Sequence, residues 1–494
     1  MFKKVSLAVL ILCLTFSSSA ALAAEFTSTT NIKSYSTTSL VKNDGSLWLW
    51  GGSQSVPTQF TSIADVDSQV GDFLMLKDQS IQYLSRSTFL YQSTATAVPV
   101  TGISHVRDYS FEYNADQYTY IAIDQDGKLY KAETPREFSE ISFSIIPDIE
   151  DVTAMSEYYE SDDHYTRSGL VLILLKKDGT VWKMSKFSDT IQQIQGLEKI
   201  VHIQGKYALK DDGTVWAWSD KIQSVTKASQ VSGLSSIKSL IPARYGFLAI
   251  DKQGNLWFNG STVTGFSDGT AYHEQAKPIK LTSIRDVQDA AIVERSLLVL
   301  TNDHKLYFTS VELEAMPASP KFDLLASGIQ EMKADYRHAI MQKTDGTLWG
   351  WGVNKEAYLG YGDYEFFHGT PVPVQQAIAV KLNGETLALS NGVVTRDNQS
   401  YVPLRSMFEK LGAEVTWDEV SKTATITRKT GDQVTVQLKI NTKNETIELN
   451  NKQVSSKPFS VNGTSYLPLR FISESLGAKV DWNQKAEIIS ITMQ

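Results

Sequence analysis

The histidines are the side chains in this sequence best suited to bind a transition metal or to transfer a proton near neutral pH. They are spread along the chain, and no pair has the H-E-x-x-H spacing or another zinc-binding spacing. The pattern therefore favours histidines that lie on the surface or in hairpin strands. The seven histidines are His105, His164, His202, His273, His304, His338 and His368.

Two acidic segments contain carboxylates of the kind that bind Ca²⁺. Residues Glu160–His164 form an acidic patch, which we interpret as a solvated loop in preference to a calcium site. Asp124–Gly127, followed by Glu133, imitates part of an EF-hand loop, but Ala122 stands where the first ligand would be. Because the same Asp-Gly pair recurs elsewhere at predicted turns, we interpret this segment as a hairpin turn.

The sequence offers no catalytic motif: it has no G-x-S-x-G, no P-loop and no G-x-G-x-x-G at a strand-to-helix turn. Cys13 is the only cysteine, and it lies in the apolar N-terminal segment. Arg405 and Arg470 occupy equivalent positions of a repeat and are candidates to contact an anionic ligand, although a partner within their own module is the favoured interpretation. We therefore predict no catalytic, cofactor-binding or metal-binding residues and no cofactor.

The N-terminus has the pattern of a secretory signal peptide. Lys3 and Lys4 precede an apolar run, and Ala21–Ala23 ends it with small residues, so the mature chain is expected to begin near Ala24. The apolar run is too short for a membrane span. Leu12 before Cys13 disfavours lipid attachment. These features predict a secreted protein, with association with the cell surface left open.

Composition is that of a folded, acidic protein. The 494 residues are 42% hydrophobic and 21% charged, with a net charge of −8. Residues 24–376 alone carry 31 Lys and Arg against 43 Asp and Glu. A body this acidic, without a basic face, disfavours nucleic acid as a ligand.

A turn followed by alternating aromatic residues recurs through most of the chain. It reads DGSLWLWG from Asp44, DDGTVWAW from Asp211 and DGTLWGWG from Asp345. Six copies are clear, and two degraded copies begin at Asp78 and Asp303. The mean spacing is 43 residues, which is typical of the blades of a β-propeller.

Each copy predicts a β-hairpin. Asp-Gly suits a two-residue turn in which both residues adopt positive φ. Alternation along the strand after the turn places Trp216 and Trp218 on one face and Val215 and Ala217 on the other. We therefore expect the tryptophans to fill the interface between neighbouring blades.

These repeats closely resemble the RCC1 family of β-propellers over about Thr30 to Val374, including the Y-L-G-Y-G sequence at Tyr358–Gly362. The resemblance implies seven or eight blades, since the first and last hairpins can complete one blade together. The name-giving member is a nuclear guanine-nucleotide exchange factor that acts on chromatin. A signal peptide and an acidic propeller set this chain apart, so we do not expect that activity.

A second repeat follows a linker at 375–379. The pattern Y-[VL]-P-L-R … L-G-A-x-V-x-W begins at Tyr401 and again at Tyr466. Pro403 and Pro468 stand where short helices begin, and Gly412 and Gly477 stand where they end. Each repeat thus predicts a strand, a helix and a β-hairpin.

This pair resembles the copper amine oxidase N-terminal-like domain, also called the stalk domain, over 380–494. The resemblance implies a non-catalytic module without copper ligands or the tyrosine that becomes a quinone. The expected organisation is a signal peptide at 1–23, a propeller at 24–374, a linker at 375–379 and the two-repeat domain at 380–494. The fold class is mainly β, with a seven- or eight-bladed RCC1-like propeller and a small α+β C-terminal domain.

Two functions follow from this organisation. The favoured one is a secreted or envelope-associated, non-catalytic scaffold whose propeller binds an unidentified protein or cell-wall glycan, with the stalk domain as attachment or spacer. The alternative is an extracellular carbohydrate-active enzyme, a lyase or hydrolase, with its site in the propeller channel. A cluster of inward-facing Asp, Glu, His and Arg at one mouth of the channel would favour the enzyme.

Overall fold

The computed structural model of this chain consists mainly of antiparallel β-strands. It describes residues 31–493 except 87–94, 115, 162–167, 186–190, 222–225, 267–268, 398, 431–432, 455–456 and 476. The predicted signal peptide, Cys13 and His164 lie outside these residues. Among the described residues, no helix is long and apolar enough to cross a membrane.

The first part of the chain forms blades of four antiparallel strands, each made from successive strands of the chain. Blade 1 consists of β1 (Ile32–Tyr35), β2 (Ser39–Lys42), β3 (Leu47–Gly51) and β4 (Gln54–Gln59). Blade 2 consists of β5 (Val66–Val70), β6 (Phe73–Leu76), β7 (Ile81–Arg86) and β8 (Ala95–Thr101). Blade 3 consists of β9 (Asp108–Asn114), β10 (Gln117–Ile123), β11 (Leu129–Pro135) and β13 (Ser144–Ile145), while β12 (Ile141–Ser142) pairs with β8. Blade 4 consists of β14 (Val152–Ser161), β15 (Ser168–Lys176), β16 (Val181–Ser185) and β17 (Ile191–Gln193).

The next four blades follow the same order. Blade 5 consists of β18 (Ile200–Gln204), β19 (Tyr207–Lys210), β20 (Val215–Ala217) and β21 (Ser229–Gln230). Blade 6 consists of β22 (Ile237–Ala243), β23 (Gly246–Asp251), β24 (Leu256–Asn259) and β27 (Ile279–Leu281), with an inserted hairpin of β25 (Ser261–Thr264) and β26 (Ala271–Glu274). Blade 7 consists of β28 (Val287–Val293), β29 (Ser296–Thr301), β30 (Lys305–Ser310) and β31 (Asp323–Ser327). Blade 8 consists of β32 (Ile329–Ala334), β33 (His338–Lys343), β34 (Leu348–Val353) and β35 (Phe367–Pro373).

The ring closes between blade 1 and blade 8, which are separate sheets. Trp48 and Trp50 of blade 1 pack in one cluster with Ile340 and Leu348 of blade 8. The indole nitrogen of Trp50 donates to the carbonyl of Tyr358 at 2.8 Å. The described part of the chain therefore forms an eight-bladed β-propeller, and the first and last hairpins do not share a blade.

The Asp-Gly turns differ from the predicted two-residue type. Only the glycine adopts positive φ, as at Gly45 (86°) and Gly213 (84°), while no aspartate of the motif does. The Lys210 amide donates to the Thr214 carbonyl at 2.9 Å, which closes a longer turn ending in a left-handed residue. In the two degraded copies Gln79 and His304 adopt this left-handed conformation, with φ of 71° and 62°.

A series of side-chain hydrogen bonds explains why Asp, Thr or Ser, and Trp recur in several copies of the turn sequence. Asp212 accepts from the amide of Thr214 at 2.8 Å and from its hydroxyl at 2.6 Å. The indole of Trp216 donates to the same hydroxyl at 3.0 Å. Copies with the same series of hydrogen bonds start at Asp44, Asp178 and Asp345. The aspartate thus fixes the turn through its side chain, which removes the need for positive φ at that position.

The turn glycine also joins each blade to the next. The amide of Ile237, which begins blade 6, donates to the Gly213 carbonyl of blade 5 at 3.0 Å. A Cβ atom on Gly213 would lie 2.8 Å from the Cα of Ser236. The same bond recurs between Val66 and Gly45 at 2.9 Å. Close approach of two backbones therefore requires glycine at this position.

The tryptophans lie where the sequence predicts, between neighbouring blades. Trp351 of blade 8 packs in a cluster with Leu298 and Leu306 of blade 7. Leu348, on the opposite face of the same strand, packs toward blade 1. Alternation along the third strand thus directs aromatic residues to the preceding blade and aliphatic residues to the following one.

The C-terminal part has three sheets around one apolar core. Its first repeat region contains β36 (Ala379–Leu382), β37 (Glu385–Thr386), β38 (Val394–Arg396), β39 (Gln399–Pro403), α1 (Leu404–Lys410), β40 (Glu414–Asp418), β41 (Thr423–Thr430) and β42 (Gln433–Asn441). Its second contains β43 (Thr446–Leu449), β44 (Lys452–Val454), β45 (Phe459–Val461), β46 (Thr464–Pro468), α2 (Leu469–Ser475), β47 (Ala478–Asn483) and β48 (Ile488–Met493). The repeats meet where β39 pairs with β46.

The C-terminal part packs against blade 1. Val56 of blade 1 forms a small apolar cluster with Val394 and Tyr466. The side-chain amide of Asn391 donates to the hydroxyl of Ser55 at 3.1 Å. Gly392 lies against Pro57 so closely that a Cβ atom would meet its carbonyl oxygen. These contacts fix the C-terminal part to one blade rather than leaving it on a free linker.

Candidate functional site

Four titratable side chains on the innermost strands are distributed over four blades and are not gathered in one. Asp108, His202, Asp289 and Glu331 each stand near the start of the first strand of a different blade, at equivalent register. Burial raises the pKa of Asp108 and of Asp289, and burial lowers the pKa of His202. A carboxyl group with a raised pKa is also a feature of catalytic acids, so the neighbours of each group decide its role.

Those neighbours belong mostly to the next blade. Asp108 contacts the backbone of Met155, and His202 contacts the backbone of Leu240. Glu331 lies beside the hydroxyl of Tyr35 across the closing seam of the ring. These groups therefore connect neighbouring blades.

The structure revises the interpretation of one acidic segment and agrees with that of the other. Glu160 is not part of a solvated loop: it is buried at the end of β14, and its carboxylate lies 3.1 Å from Lys183 Nζ. Its charge is already neutralised, while Asp162–His164 lie outside the described residues. Asp124 accepts from the Lys128 amide at 2.8 Å within a hairpin turn, as the sequence predicts.

One group of side chains that could bind a metal ion does not match the zinc-binding spacings sought in the sequence. Asp363, Glu365 and His368 place one ligand atom each within 4.8 Å of one another. The side-chain amide of Asn354 donates to Asp363 Oδ1 at 2.6 Å, and His368 Nε2 lies 3.1 Å from the same oxygen. These residues could hold one divalent cation, but their hydrogen bonds already fix the long loop of blade 8. The D-x-E-x-x-H spacing was the available sequence indication.

The other five described histidines are dispersed. His338 is buried at the closing seam, and His273 lies on the inserted hairpin, where its Nε2 is 2.7 Å from the hydroxyl of Thr264. His304 occupies a surface turn, as the sequence favours. His202 and His338 lie in hairpin strands, β18 and β33, which is the other location that the spacing favours.

A cleft with polar and aromatic walls lies across blades 6, 7 and 8. It has a volume of about 750 Å³ and is formed by the turns between the first and second strands of these blades and by the inserted hairpin of blade 6. Ile241, Ala291, Ile292 and Val311 contribute apolar surface. The volume is within the range of small-molecule and oligosaccharide sites.

Arg244 is the central side chain of this cleft. Its guanidinium lies 4.0 Å from the ring centre of Tyr272 and 5.4 Å from that of Tyr245. Its Nη1 donates to the hydroxyl of Tyr336 at 2.7 Å. Burial raises the pKa of Tyr336, and the adjacent Arg244 opposes that rise. Cation–π contact and one hydrogen bond thus hold the guanidinium in a fixed orientation.

The aromatic rings around Arg244 remain accessible to a ligand. Tyr245 is 55% exposed, Tyr336 is 53% exposed and Tyr272 is 38% exposed. Phe266, on the inserted hairpin, is 68% exposed and lies under Arg295 at 4.4 Å. Large exposed apolar groups grouped on one face indicate an interaction site.

The other two arginines of the cleft are already paired. Arg337 Nε lies 2.6 Å from Glu294 Oε1, and Arg295 Nη1 lies 3.1 Å from Glu312 Oε1. In contrast, Arg244 has no carboxylate within ion-pair distance among the residues that the structure describes. The cleft therefore presents one available cationic group beside exposed aromatic rings. We take it as the candidate binding site.

Comparison with known proteins identifies the C-terminal part. Residues 381–491 match the family model of the copper amine oxidase N-terminal domain. The resemblance seen in the two repeats is thereby confirmed. No curated protein matches the chain.

The solved structures similar to this chain include RCC1-type propellers. Prp20p from Saccharomyces cerevisiae is 13% identical, with a TM-score of 0.40, over 70% of this chain and 90% of that one. The same yeast protein in a complex with Kap60 is 13% identical, with a TM-score of 0.37, over 67% and 84%. Human WBSCR16 is 14% identical, with a TM-score of 0.39, over 59% and 89%.

The arginines of the copper amine oxidase N-terminal domain do not form a shared site. Arg405 is exposed on α1. We expected it to pair with a carboxylate or a carbonyl of its own module, but among the described residues it has neither partner. Arg470 is likewise exposed at the equivalent position on α2. Trp417 and Trp482, also equivalent, are 40% and 47% exposed, so the repeat places an aromatic ring on the surface twice.

Proposed function

We propose that this protein is an exported, non-catalytic scaffold whose propeller binds a partner through the cleft around Arg244. A propeller joined to a copper amine oxidase N-terminal domain fits a binding or scaffold role. The predicted signal peptide supports export, and it stays a prediction from sequence. The partner is a protein or a glycan of the cell envelope.

The observation that carries this proposal is the composition of the cleft. Its exposed rings and one available guanidinium offer surface and charge for recognition, while of the two carboxylates that line it, Glu294 and Asp335, the first is ion-paired with Arg337. Glycoside hydrolysis usually requires two carboxylates that flank the scissile bond, and Asp335 is the one lining carboxylate outside an ion pair among the described residues. The cleft therefore suits binding better than hydrolysis.

The position of the C-terminal domain supports a role as attachment or spacer. It packs on blade 1, next to blade 8, whereas the cleft extends across blades 6 to 8. The domain's contacts with Ser55 and Val56 hold it at a fixed place on the ring. A domain attached in this way can orient the cleft relative to the envelope.

The test is retention of a partner from the native surroundings. The full protein without residues 1–23 is immobilised and incubated with purified cell-wall fractions and with spent medium. We expect a wall component or secreted protein to be retained, and Tyr272→Ala with Tyr336→Ala to abolish retention. Tyr159→Ala, which changes an exposed tyrosine of blade 4, is the matched control. Equal retention by both variants, or no retention at all, would overturn the proposal.

A further inference from the structure

We propose that Arg244 binds the carboxylate of an acidic sugar, and that the cleft is a site for a glycan containing uronic-acid-type residues. This inference rests on the proposed function of the cleft and names the class of its ligand. It begins with the difference between three arginines that line one cleft.

Two of these arginines are occupied, and one is available. Arg295 is held by Glu312 and also donates to the carbonyl of Gly265 at 2.7 Å. Arg337 is held by Glu294. Arg244 donates to the hydroxyl of Tyr336 and has a second hydrogen-bonding neighbour in Tyr245, so these tyrosines use at most two of its five N–H groups. The remaining donors suit a carboxylate, which an arginine binds through two parallel hydrogen bonds.

The tyrosines fix this guanidinium before the ligand arrives. Contact with the ring of Tyr272 at 4.0 Å and with Tyr336 limits the rotamers of the Arg244 side chain. Less conformational entropy is therefore lost on binding than for an arginine that is free in solvent. Tyr245 and Tyr272 contact each other edge to face, with ring centres 5.7 Å apart, which fixes their orientation as well.

The rest of the cleft favours a sugar over an acidic peptide. Exposed aromatic faces pack against the C–H faces of sugar rings, and tyrosine hydroxyls at the ring edges reach polar groups. The Asp335 carboxylate also lines the cleft and can accept from sugar hydroxyls, whereas it would repel a second carboxylate of an acidic peptide. The excess of acidic residues in the propeller likewise repels ligands that carry several negative charges. We therefore expect a sugar ligand that places a single carboxylate in the cleft.

The experiment compares ligands that differ in one charge. Aldotriouronic acid, a xylobiose that carries one glucuronic acid residue, and its methyl ester have the same sugars, but esterification removes the single negative charge. Isothermal titration with the protein lacking residues 1–23 should give binding of the acid at least tenfold tighter than of the ester. Arg244→Gln should weaken binding of the acid at least tenfold and leave the ester nearly unchanged. Arg285→Gln, an exposed arginine on a connection between blades 6 and 7, is the matched control and should have no effect.

The outcomes separate this inference from the proposed function. Equal affinity for acid and ester, both lost in Tyr272→Ala, would overturn carboxylate recognition but support a glycan-binding cleft. Binding of tetraglutamate in place of either sugar would overturn the sugar assignment. Absence of sugar binding, while wall fractions or medium still yield a cleft-dependent partner, would overturn the inference and leave the scaffold proposal intact.

Discussion

Lys42 Nζ of blade 1 lies 2.7 Å from Glu487 Oε2, close to the last strand of the chain. The Lys42 side chain is 4% exposed and that of Glu487 is 20% exposed. The same ammonium also donates to the carbonyl of Ala377 and lies 4.8 Å from the ring centre of Trp48. One buried cation therefore joins the propeller, the connection at 375–379 and the C-terminal domain.

Breaking this pair should loosen the junction. Glu487→Gln leaves the Lys42 ammonium buried without its counterion, so we expect a loss of about 2 kcal/mol, less than for a fully buried pair because Glu487 is partly exposed. The double variant with Lys42→Met should recover much of that loss. Unfolding in urea and trypsin cleavage at Lys381, just after the connection at 375–379, measure the effect. Asp481→Asn, which breaks the exposed pair with Lys479, is the control, and an equal effect there would contradict the prediction.

A second prediction concerns acid sensitivity at the seam between blades 8 and 1. His338 is buried with its Nε2 3.2 Å from the Thr37 carbonyl, and burial lowers its pKa, although nearby Asp335 opposes the shift. As the pH falls below the ordinary histidine pKa of about 6.5, the unfolded chain takes up a proton before the folded chain does. The neutral imidazole of His338 therefore stabilises the fold above that pH, and this stabilisation is lost as the pH falls below it.

His338→Gln keeps a side-chain hydrogen-bond donor for the Thr37 carbonyl, but it removes the imidazole that titrates. We expect the fall in Tm from pH 7.5 to pH 5.5 to be smaller in this variant than in the wild type. His105→Gln, at a partly exposed position outside the seam, should keep the wild-type pH dependence. If His338→Gln showed the same fall in Tm as the wild type, the histidine would not be the group responsible.

A third prediction tests the role of the inter-blade tryptophans. Trp351 is 3% exposed between blades 7 and 8, so Trp351→Ala creates a cavity and should cost about 3–5 kcal/mol of unfolding free energy. Trp417 is 40% exposed, so Trp417→Ala should cost no more than about 0.5 kcal/mol. Denaturant midpoints of the two variants provide the comparison. Similar losses would mean that burial between blades is not what the repeated indole provides.

The sequence predicted the propeller because the relevant interactions are local. The turn from Asp212 to Trp216 contains its own hydrogen bonds, and alternation after it decides which blade each side chain faces. The predicted turn type was wrong because we expected both the aspartate and the glycine to adopt positive φ. In the fold, the aspartate uses its carboxylate to fix the turn, and only Gly213 adopts positive φ.

The cleft could not be predicted in this way. Arg244 and Tyr336 bond to each other across 92 positions of sequence, and Tyr272 lies on the hairpin inserted into blade 6. Arg244 and Tyr336 stand in turns, and Tyr272 stands in β26, none of them within a recurring motif. Their proximity depends on ring closure and on the angles between blades, which local patterns do not encode. The same reason explains why Glu160 was interpreted as solvated although Lys183 lies beside it.

A last prediction separates backbone strain from the contact between blades. Gly213 and Gly463 both adopt positive φ, 84° and 78°, but a Cβ atom on Gly213 would lie 2.8 Å from the Ser236 backbone, whereas nothing lies within 4 Å of one on Gly463. Gly463→Ala should therefore cost about 1 kcal/mol, from conformational strain alone. Gly213→Ala adds a steric clash and strains the bond from Ile237, so its loss should be at least about 2 kcal/mol. Urea midpoints decide between them: equal losses would mean that these glycines are required for φ alone and that the close approach between blades 5 and 6 adapts without cost.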